Sequence, residues 1–259
     1  MENQQKNKMQ KLTAIIPTGN EIHNIEAVIA SVNFADEILI ADSFSTDGTY
    51  DKALQLAHKV IRRPFKYHAD HKNWAISQAK HSWVLLVDAD ERITDELKKE
   101  IQEILKNPPH HIVAYWISRA NYFMGKKINY SGWRGDKVIR LFKKEFCKYQ
   151  DILVHEEIIA QGKVSKLKNK LNHNTYVNLK QYIEKLNKYS DKQAIEFNVK
   201  TKTLTPYHFI IKPFWAFFKH YILQSGFRDG IAGIVIGYFQ AYRVFMRYLK
   251  IWLIRRDIK

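Results

Sequence analysis

The sequence predicts an α/β protein: a mostly parallel central sheet flanked by helices, with a C-terminal helical region attached to it. Two observations carry this. Between residues 12 and 106, short apolar runs alternate with longer amphipathic stretches, the order that parallel strands and crossover helices require. Beyond Pro206 the chain turns aromatic and basic, with apolar residues at helical spacing.

Residues 12–17 read as a buried strand that leaves through Pro17 into a polar turn, followed by a helix over about 24–32. Residues 37–41 are the next strand and about 46–57 its helix. A short strand at 60–62 precedes a helix over about 70–80, and 83–87 is the most apolar strand of the chain. A helix over about 94–106 is ended by Pro108 and Pro109. The pattern then changes. Residues 114–119 and 137–142 are strand-like, with Gly125, Gly132 and Gly135 in the turns between them, and 148–171 reads as irregular β structure. A helix returns over 179–199.

Almost every position over residues 228–256 is apolar except a stripe at Asp229, Gln240, Arg243, Arg247 and Lys250, which Gly233 and Gly237 continue as small residues. This is a helix with a wide apolar surface and one polar seam. Gln240 and Arg243 interrupt the apolar run and argue against a transmembrane span. A core helix with a solvated face and a helix lying on a membrane interface both fit the pattern, and the second is preferred. The expected division is a disordered, polar lead over 1–11, a catalytic domain over 12–176, and a basic, amphipathic helical region over 177–259.

Composition narrows the setting. The net charge is +16, and between residues 200 and 259 eleven Lys/Arg face only two Asp. Aromatic residues crowd the same region, a combination that suits an anionic membrane surface at least as well as nucleic acid; the membrane surface is the preferred partner and nucleic acid is not expected as one. The single cysteine, Cys147, excludes an intramolecular disulfide. With a polar amino terminus that lacks a signal-peptide core, this points to a cytoplasmic protein, peripheral on the inner face of a cytoplasmic membrane.

Three acidic segments carry the chemistry, each following an apolar run. In Val84-Leu85-Leu86-Val87-Asp88-Ala89-Asp90-Glu91, two carboxylates at the carboxyl end of a strand can hold a divalent ion, Mg2+ or Mn2+, through oxygen ligands. The bland alternative is a pair of loop acids capping the helix after Thr94. In Ile15-Ile16-Pro17-Thr18-Gly19-Asn20-Glu21, backbone N–H groups of the turn can face a nucleotide. In Ala41-Asp42-Ser43-Phe44-Ser45-Thr46-Asp47-Gly48-Thr49, Asp42 stands where a strand ends and can accept hydrogen bonds from a ribose or a base. Ser45 or Thr46 can equally cap the next helix, and Asp47-Gly48 reads as a turn.

In order and spacing, these segments resemble the Ile-Pro-x-x-Asn-Glu turn, the Asp-x-x-Ser-x-Asp-Gly-Thr loop and the Asp-x-Asp motif of the family 2 glycosyltransferases. The resemblance implies the glycosyltransferase A fold. It assigns nucleotide-sugar contacts to Pro17, Thr18, Glu21, Asp42 and Asp88, metal contacts to Asp90 with Asp88, and an approach to the diphosphate and sugar to Lys72 and Asn73. Gly19 stands where the family often has an aromatic residue. Downstream, Arg140-Leu141-Phe142-Lys143-Lys144, Val154-His155-Glu156, His173-Asn174-Thr175-Tyr176, Lys212-Pro213-Phe214 and Gly226-Phe227-Arg228-Asp229-Gly230 resemble the lipopolysaccharide-core branch, KdtX/WaaE-like.

The resemblance implies an inverting transfer, assisted by a divalent metal, from a nucleotide sugar to a lipopolysaccharide-core or other lipid-linked glycan. A UDP-hexose such as UDP-glucose is the first choice of donor. Glu156 is the first choice of general base and Asp136 the second, His155 is a candidate for metal or acceptor contact, and Trp133 with Arg134 suits an acceptor pocket. The competing reading is a non-catalytic basic protein that binds membrane or nucleic acid. It explains the charge and leaves the three acidic loops unexplained.

Overall fold

The computed structural model describes residues 9–151 and 157–258. Its strands are β1 (Leu12–Thr18), β2 (Glu37–Asp42), β3 (Lys59–Arg62), β4 (Trp83–Leu86), β5 (Glu91–Arg92), β6 (Ile112–Phe123), β7 (Lys126–Lys127), β8 (Lys137–Lys143), β9 (Cys147–Tyr149), β10 (Ile158–Ala160) and β11 (Lys163–Tyr176). The helices are α1 (Ile25–Ser31), α2 (Thr49–Leu56), α3 (His68–Ser77), α4 (Asp95–Lys106), α5 (Leu179–Lys200), α6 (Pro206–Phe209), α7 (Ile211–Phe218) and α8 (Ile231–Ile254). A π-helical turn, Lys219–Leu223, prolongs α7, and a 3-10 turn, Gly226–Asp229, precedes α8. The chain forms two compact units. One comprises the residues up to Arg119 with Asp136–His173, the other Ala120–Gly135 with Asn174–Lys259.

In the first unit the apolar runs become β1, β2 and β4, which pair in parallel in the order β3-β2-β1-β4. Successive side chains of these strands alternate between two cores. Leu12, Ala14 and Ile16 of β1 join Ile38 and Ile40 of β2 and Trp83 and Leu85 of β4 on one face. Ile15, Leu39, Ala41, Val84 and Leu86 occupy the other. Strands buried on both faces read as continuous apolar runs, which is why they were legible. Leu97, Ile101 and Leu105 of α4 cover the first face, and Ala69, Ala75 and Ile76 of α3 the second. Each large side chain so buried contributes about 1.5–3 kcal/mol. Thr94 accepts a hydrogen bond from the Leu97 amide and caps α4 itself, so Asp88 and Asp90 are released from that duty.

The sheet is mixed. Beyond the parallel block it continues through β8, β6, β11 and β5, with β8 antiparallel to both β4 and β6 and β5 antiparallel to β11. Here the structure corrects the expectation of irregular β structure over 148–171: β11 is a 14-residue strand. Its sequence, KVSKLKNKLNHNTY, is mostly polar because only Leu167 and Leu171 are buried in the core, so hydrophobic periodicity is weak. Trp83 is buried, and Cys147 lies in β9, where burial pushes its thiol up to about 12.

In the second unit α8 packs against both α5 and α7. The polar seam of α8 is not solvated, as one alternative had it. Arg247 donates to Gln193 at 3.0 Å, and Lys250 donates to the Asn187 carbonyl at 3.1 Å and the Ser190 hydroxyl at 2.7 Å, all on α5. Gly233 and Gly237 do not continue that seam. A Cβ on Gly233 would stand 1.8 Å from the Gly226 carbonyl oxygen, and one on Gly237 would stand 3.3 Å from the Phe217 ring. They are contact points for the turn before α8 and for α7. Asp229 is buried and accepts from the Asn129 and Tyr130 amides, each at 3.1 Å, and from the Ser131 hydroxyl at 2.8 Å. It therefore pins residues 129–131 rather than facing water. Among the described residues, no helix is long and apolar enough to cross a membrane.

Candidate functional site

Parallel pairing puts three acidic segments at one sheet edge. Thr18 is in register with Asp42, Ile15 with Leu86, and the Val87 amide donates to the Ile15 carbonyl at 2.9 Å. The carboxyl ends of β1, β2 and β4 therefore finish side by side, where ligands of open α/β sheets bind.

The loops after β1 and β2 form one hydrogen-bonded assembly. The Asn20 amide donates to the Ser45 hydroxyl, the Glu21 amide to Thr49 and the Ile22 amide to Asp47, at 2.9, 2.8 and 3.1 Å. Asn20, at φ 58°, accepts from the Thr46 amide at 2.8 Å. Ser45 does not cap α2. Its amide and hydroxyl both donate to Asp42, at 3.0 and 2.5 Å. Gly48 sits at the N-cap with φ 91°, where a side chain would be strained. Asp47 is more than part of a turn. Burial opposes its ionisation, but hydrogen bonds from Thr49 and the Ile22 amide together outweigh it and hold its carboxyl below its ordinary value.

Asp42 is buried, and besides Ser45 it takes Thr18 Oγ1 at 3.4 Å and Arg62 Nε at 3.3 Å. The Arg62 guanidinium lies over the Tyr50 ring at 3.9 Å and the Phe44 ring at 4.6 Å. The exposed ring of this group is Phe44, in the left-handed region at φ 60°. Pro17 is half-buried and Thr18 is buried. Glu21 accepts from the Asn24 amide side chain at 2.8 Å.

Below the Asp-x-Asp segment lies a charge network in which acids and bases alternate. Arg140, only 3% exposed, donates to Asp88 and, at 2.8 Å, to Glu91, which is wholly buried. Lys72 reaches Asp88 at 3.3 Å. Arg119 lies 3.6 Å from Glu91 and forks onto both oxygens of Asp136 at 2.9 and 2.8 Å. Three carboxylates and three cations balance. Burial would push the Asp88 carboxyl up, but Arg140 and Lys72 override it and hold the group well below the carboxylate range. Burial likewise opposes the charge on Arg140, and Asp88 and Glu91 more than restore it. Arg92 ties the segment to α1, donating to the Ala89 carbonyl at 2.6 Å and to the Asn24 side chain at 2.9 Å.

Asp90 is half-buried beside His173, whose Nε2 lies 3.5 Å from Asp90 Oδ2. The antiparallel pairing of β5 with β11, His173 opposite Glu91, creates this meeting. Among the described residues no three His, Cys, Asp or Glu side chains gather around one point, but a carboxylate oxygen next to an imidazole nitrogen is a donor pair that would suit a manganese or magnesium ion. The pair fits a divalent metal. Asp88, expected to share that ion, has its two oxygens on Lys72 and Arg140. His173 stood in a quoted motif with no role given to it. Its signal was a histidine late in a polar run, which no local periodicity distinguishes.

The other expected residues fall in different places. The Asn73 amide receives the Tyr149 amide at 2.8 Å and donates to the Tyr149 carbonyl at 3.0 Å, so it anchors β9 as a strand neighbour would. Asp136 is committed to Arg119 as above. Trp133 and Arg134 belong to the second unit, where Trp133 packs edge-on to Phe123 at 6.1 Å and beside Tyr176 at 6.0 Å. His155 and Glu156 lie outside the described residues. Beside α3 and β9, a cleft of about 730 Å³ is lined by Arg63, Tyr67, Trp74, Lys148 and Tyr149 among others.

Comparison with known proteins points one way. The family model "Glycosyl transferase family 2" matches residues 13–159. An uncharacterized glycosyltransferase of Rickettsia felis is 29% identical over 254 residues, spanning 94% of this chain and 90% of its own. The lipopolysaccharide core biosynthesis glycosyltransferase LpsC of Rhizobium meliloti is 28% identical over 253 residues, 92% and 93% of the two chains. Among solved structures, S. aureus TarS 1-349 shares 15% identity over 96% of this chain and 92% of its own, with a TM-score of 0.48.

Proposed function

The chain belongs to glycosyl transferase family 2, and on that premise we propose that it moves a hexose, with inversion, from a uridine diphosphate donor to a lipopolysaccharide-core or other lipid-linked glycan. That it is a glycosyltransferase follows from the family; donor, acceptor, metal and stereochemistry are our reading. The observation that carries it is the pairing of Asp90 with His173 beside the joined loops of β1 and β2 at one sheet edge. LpsC, similar over nearly the whole chain, supplies the reason to prefer a lipopolysaccharide-type acceptor.

In this reading the loops around Thr18, Glu21 and Asp42 bind the nucleoside, with Phe44 offering an exposed ring for stacking. Asp90 and His173 hold the divalent ion. When bound, it neutralises charge on the leaving diphosphate. Glu156 takes the proton of the acceptor hydroxyl. The acceptor oxygen attacks the anomeric carbon as the bond from that carbon to the diphosphate breaks, which inverts the centre. Asp136, engaged with Arg119, is the weaker candidate for base. The network of Lys72, Asp88, Arg140, Glu91 and Arg119 holds the Asp-x-Asp turn in one conformation.

The test is a screen of UDP- and GDP-sugars with Mn2+ or Mg2+, scoring donor hydrolysis and thermal stabilisation. A UDP-hexose that stabilises only with metal, with release of nucleoside diphosphate, is expected. Pyrophosphate release, or metal-independent stabilisation by every nucleotide, would overturn the reading.

A further inference from the structure

The second unit carries an apolar surface that no other element covers among the described residues. Ile211, Phe214, Trp215 and Ile222 recur at i, i+3, i+4 and i+11 along α7 and its π-helical extension, and all are exposed, Phe214 at 64% and Trp215 at 54%. On the neighbouring α8, Ile231 is 82% and Tyr238 70% exposed, while the opposite side of that helix is spent on α5. Isolated exposed apolar residues are ordinary; two strips on packed neighbouring helices are not. The surroundings are cationic. Lys219 and Arg228 are exposed beside the strips, and the one acid between Pro206 and Arg256, Asp229, is buried. A second copy of this surface would bring like charges together. An anionic bilayer meets both the apolar strips and the charge.

We infer that α7, its π-helical extension and the start of α8 form a docking surface for anionic lipid, with Phe214 and Trp215 entering the headgroup region and Lys219 and Arg228 resting on lipid phosphates. The inference deepens the reading of a lipid-linked acceptor. It also moves the membrane contact from the long C-terminal helix as a whole to α7. The polar seam that had suggested an interfacial α8 is turned onto α5 and is not available. Since α7 is short, it lies in the interface and does not span.

The experiment uses the full chain with two kinds of vesicle, phosphatidylcholine alone and an equimolar mixture with phosphatidylglycerol, and measures co-sedimentation. Binding to the mixed vesicles, weakened by salt, is expected, with little to phosphatidylcholine. Phe214→Ser/Trp215→Ser is expected to lower the partition coefficient tenfold or more, equivalent to about 1.4 kcal/mol, and Lys219→Glu/Arg228→Glu to remove the salt dependence. Val199→Ser, at the most exposed apolar position of α5, serves as the control and is expected to bind normally. Circular dichroism and donor hydrolysis without vesicles are measured on every variant. Folded, hydrolytically active Phe214→Ser/Trp215→Ser that binds like the parent would overturn the inference and leave the enzymatic reading intact. Equal binding to both vesicles would overturn its electrostatic half. A dimer in vesicle-free solution that the same substitutions dissolve would reassign the surface to a second copy.

Discussion

Replacing Arg140 by methionine tests the charge network that holds the Asp-x-Asp turn. The guanidinium is 3% exposed and touches Asp88 and Glu91, of which Glu91 is wholly buried. Methionine fills much of the volume and leaves two carboxylates facing Lys72 and, at 3.6 Å, Arg119. Breaking a buried pair by removing one partner costs about 3–5 kcal/mol. With a urea slope of about 2–3 kcal/mol/M, the unfolding midpoint should fall by roughly 1–2 M. Glu91→Gln/Arg140→Met should recover part of the loss, because a neutral amide in that place has no charge to compensate.

The pH dependence has a definite sign. Arg140 helps hold the folded-state pKa of Asp88 below its unfolded value, against the effect of burial. The stabilisation is full above the unfolded carboxylate pKa of about 3.9 and is lost as pH falls through the folded value. The gap between parent and Arg140→Met should therefore be widest at neutral pH and narrow below about pH 4. Equilibrium urea unfolding at a series of pH values measures both. A variant within about 0.5 kcal/mol of the parent at neutral pH, or a gap that widens in acid, would refute the account.

Other outcomes follow from the same geometry. Asp90→Ala should abolish stabilisation by UDP plus Mn2+ in a thermal shift assay while leaving the apo melting temperature unchanged, and His173→Ala should raise the Mn2+ concentration needed. Glu156→Gln should retain donor binding and lose transfer at least a hundredfold, the scale of general-base catalysis; isothermal titration beside a turnover assay separates the two. Gly48→Ala, at φ 91°, should destabilise the fold by about 1–2 kcal/mol, read from the urea midpoint, since left-handed backbone strains any side chain. The Cys147 thiol, buried and titrating at about 12, should react with a chromogenic disulfide only as the protein unfolds, so its rate should rise steeply across the urea transition.

Much of the first unit was legible because each of its signals is local. β1, β2 and β4 are buried on both faces and so appear as unbroken apolar runs, and the acidic residues that end them announce a common edge once the strands are parallel. β11 was not legible, because only two of its side chains enter the core and the rest are polar.

What tertiary structure alone decided are the meetings between residues far apart in the chain. His173 reaches Asp90 through the β5–β11 register, Arg140 of β8 reaches Asp88 and Glu91, which stand about fifty residues away in the chain, and Asn73 spends its amide on β9 instead of facing a ligand. The sequence by itself determined which segments bury apolar surface and where each strand stops, since burial and chain reversal depend on near neighbours. It could not determine which carboxylate is matched by a cation and which stands beside an imidazole. That depends on strand order and register, and moving a strand by one residue turns every side chain on it to the other face.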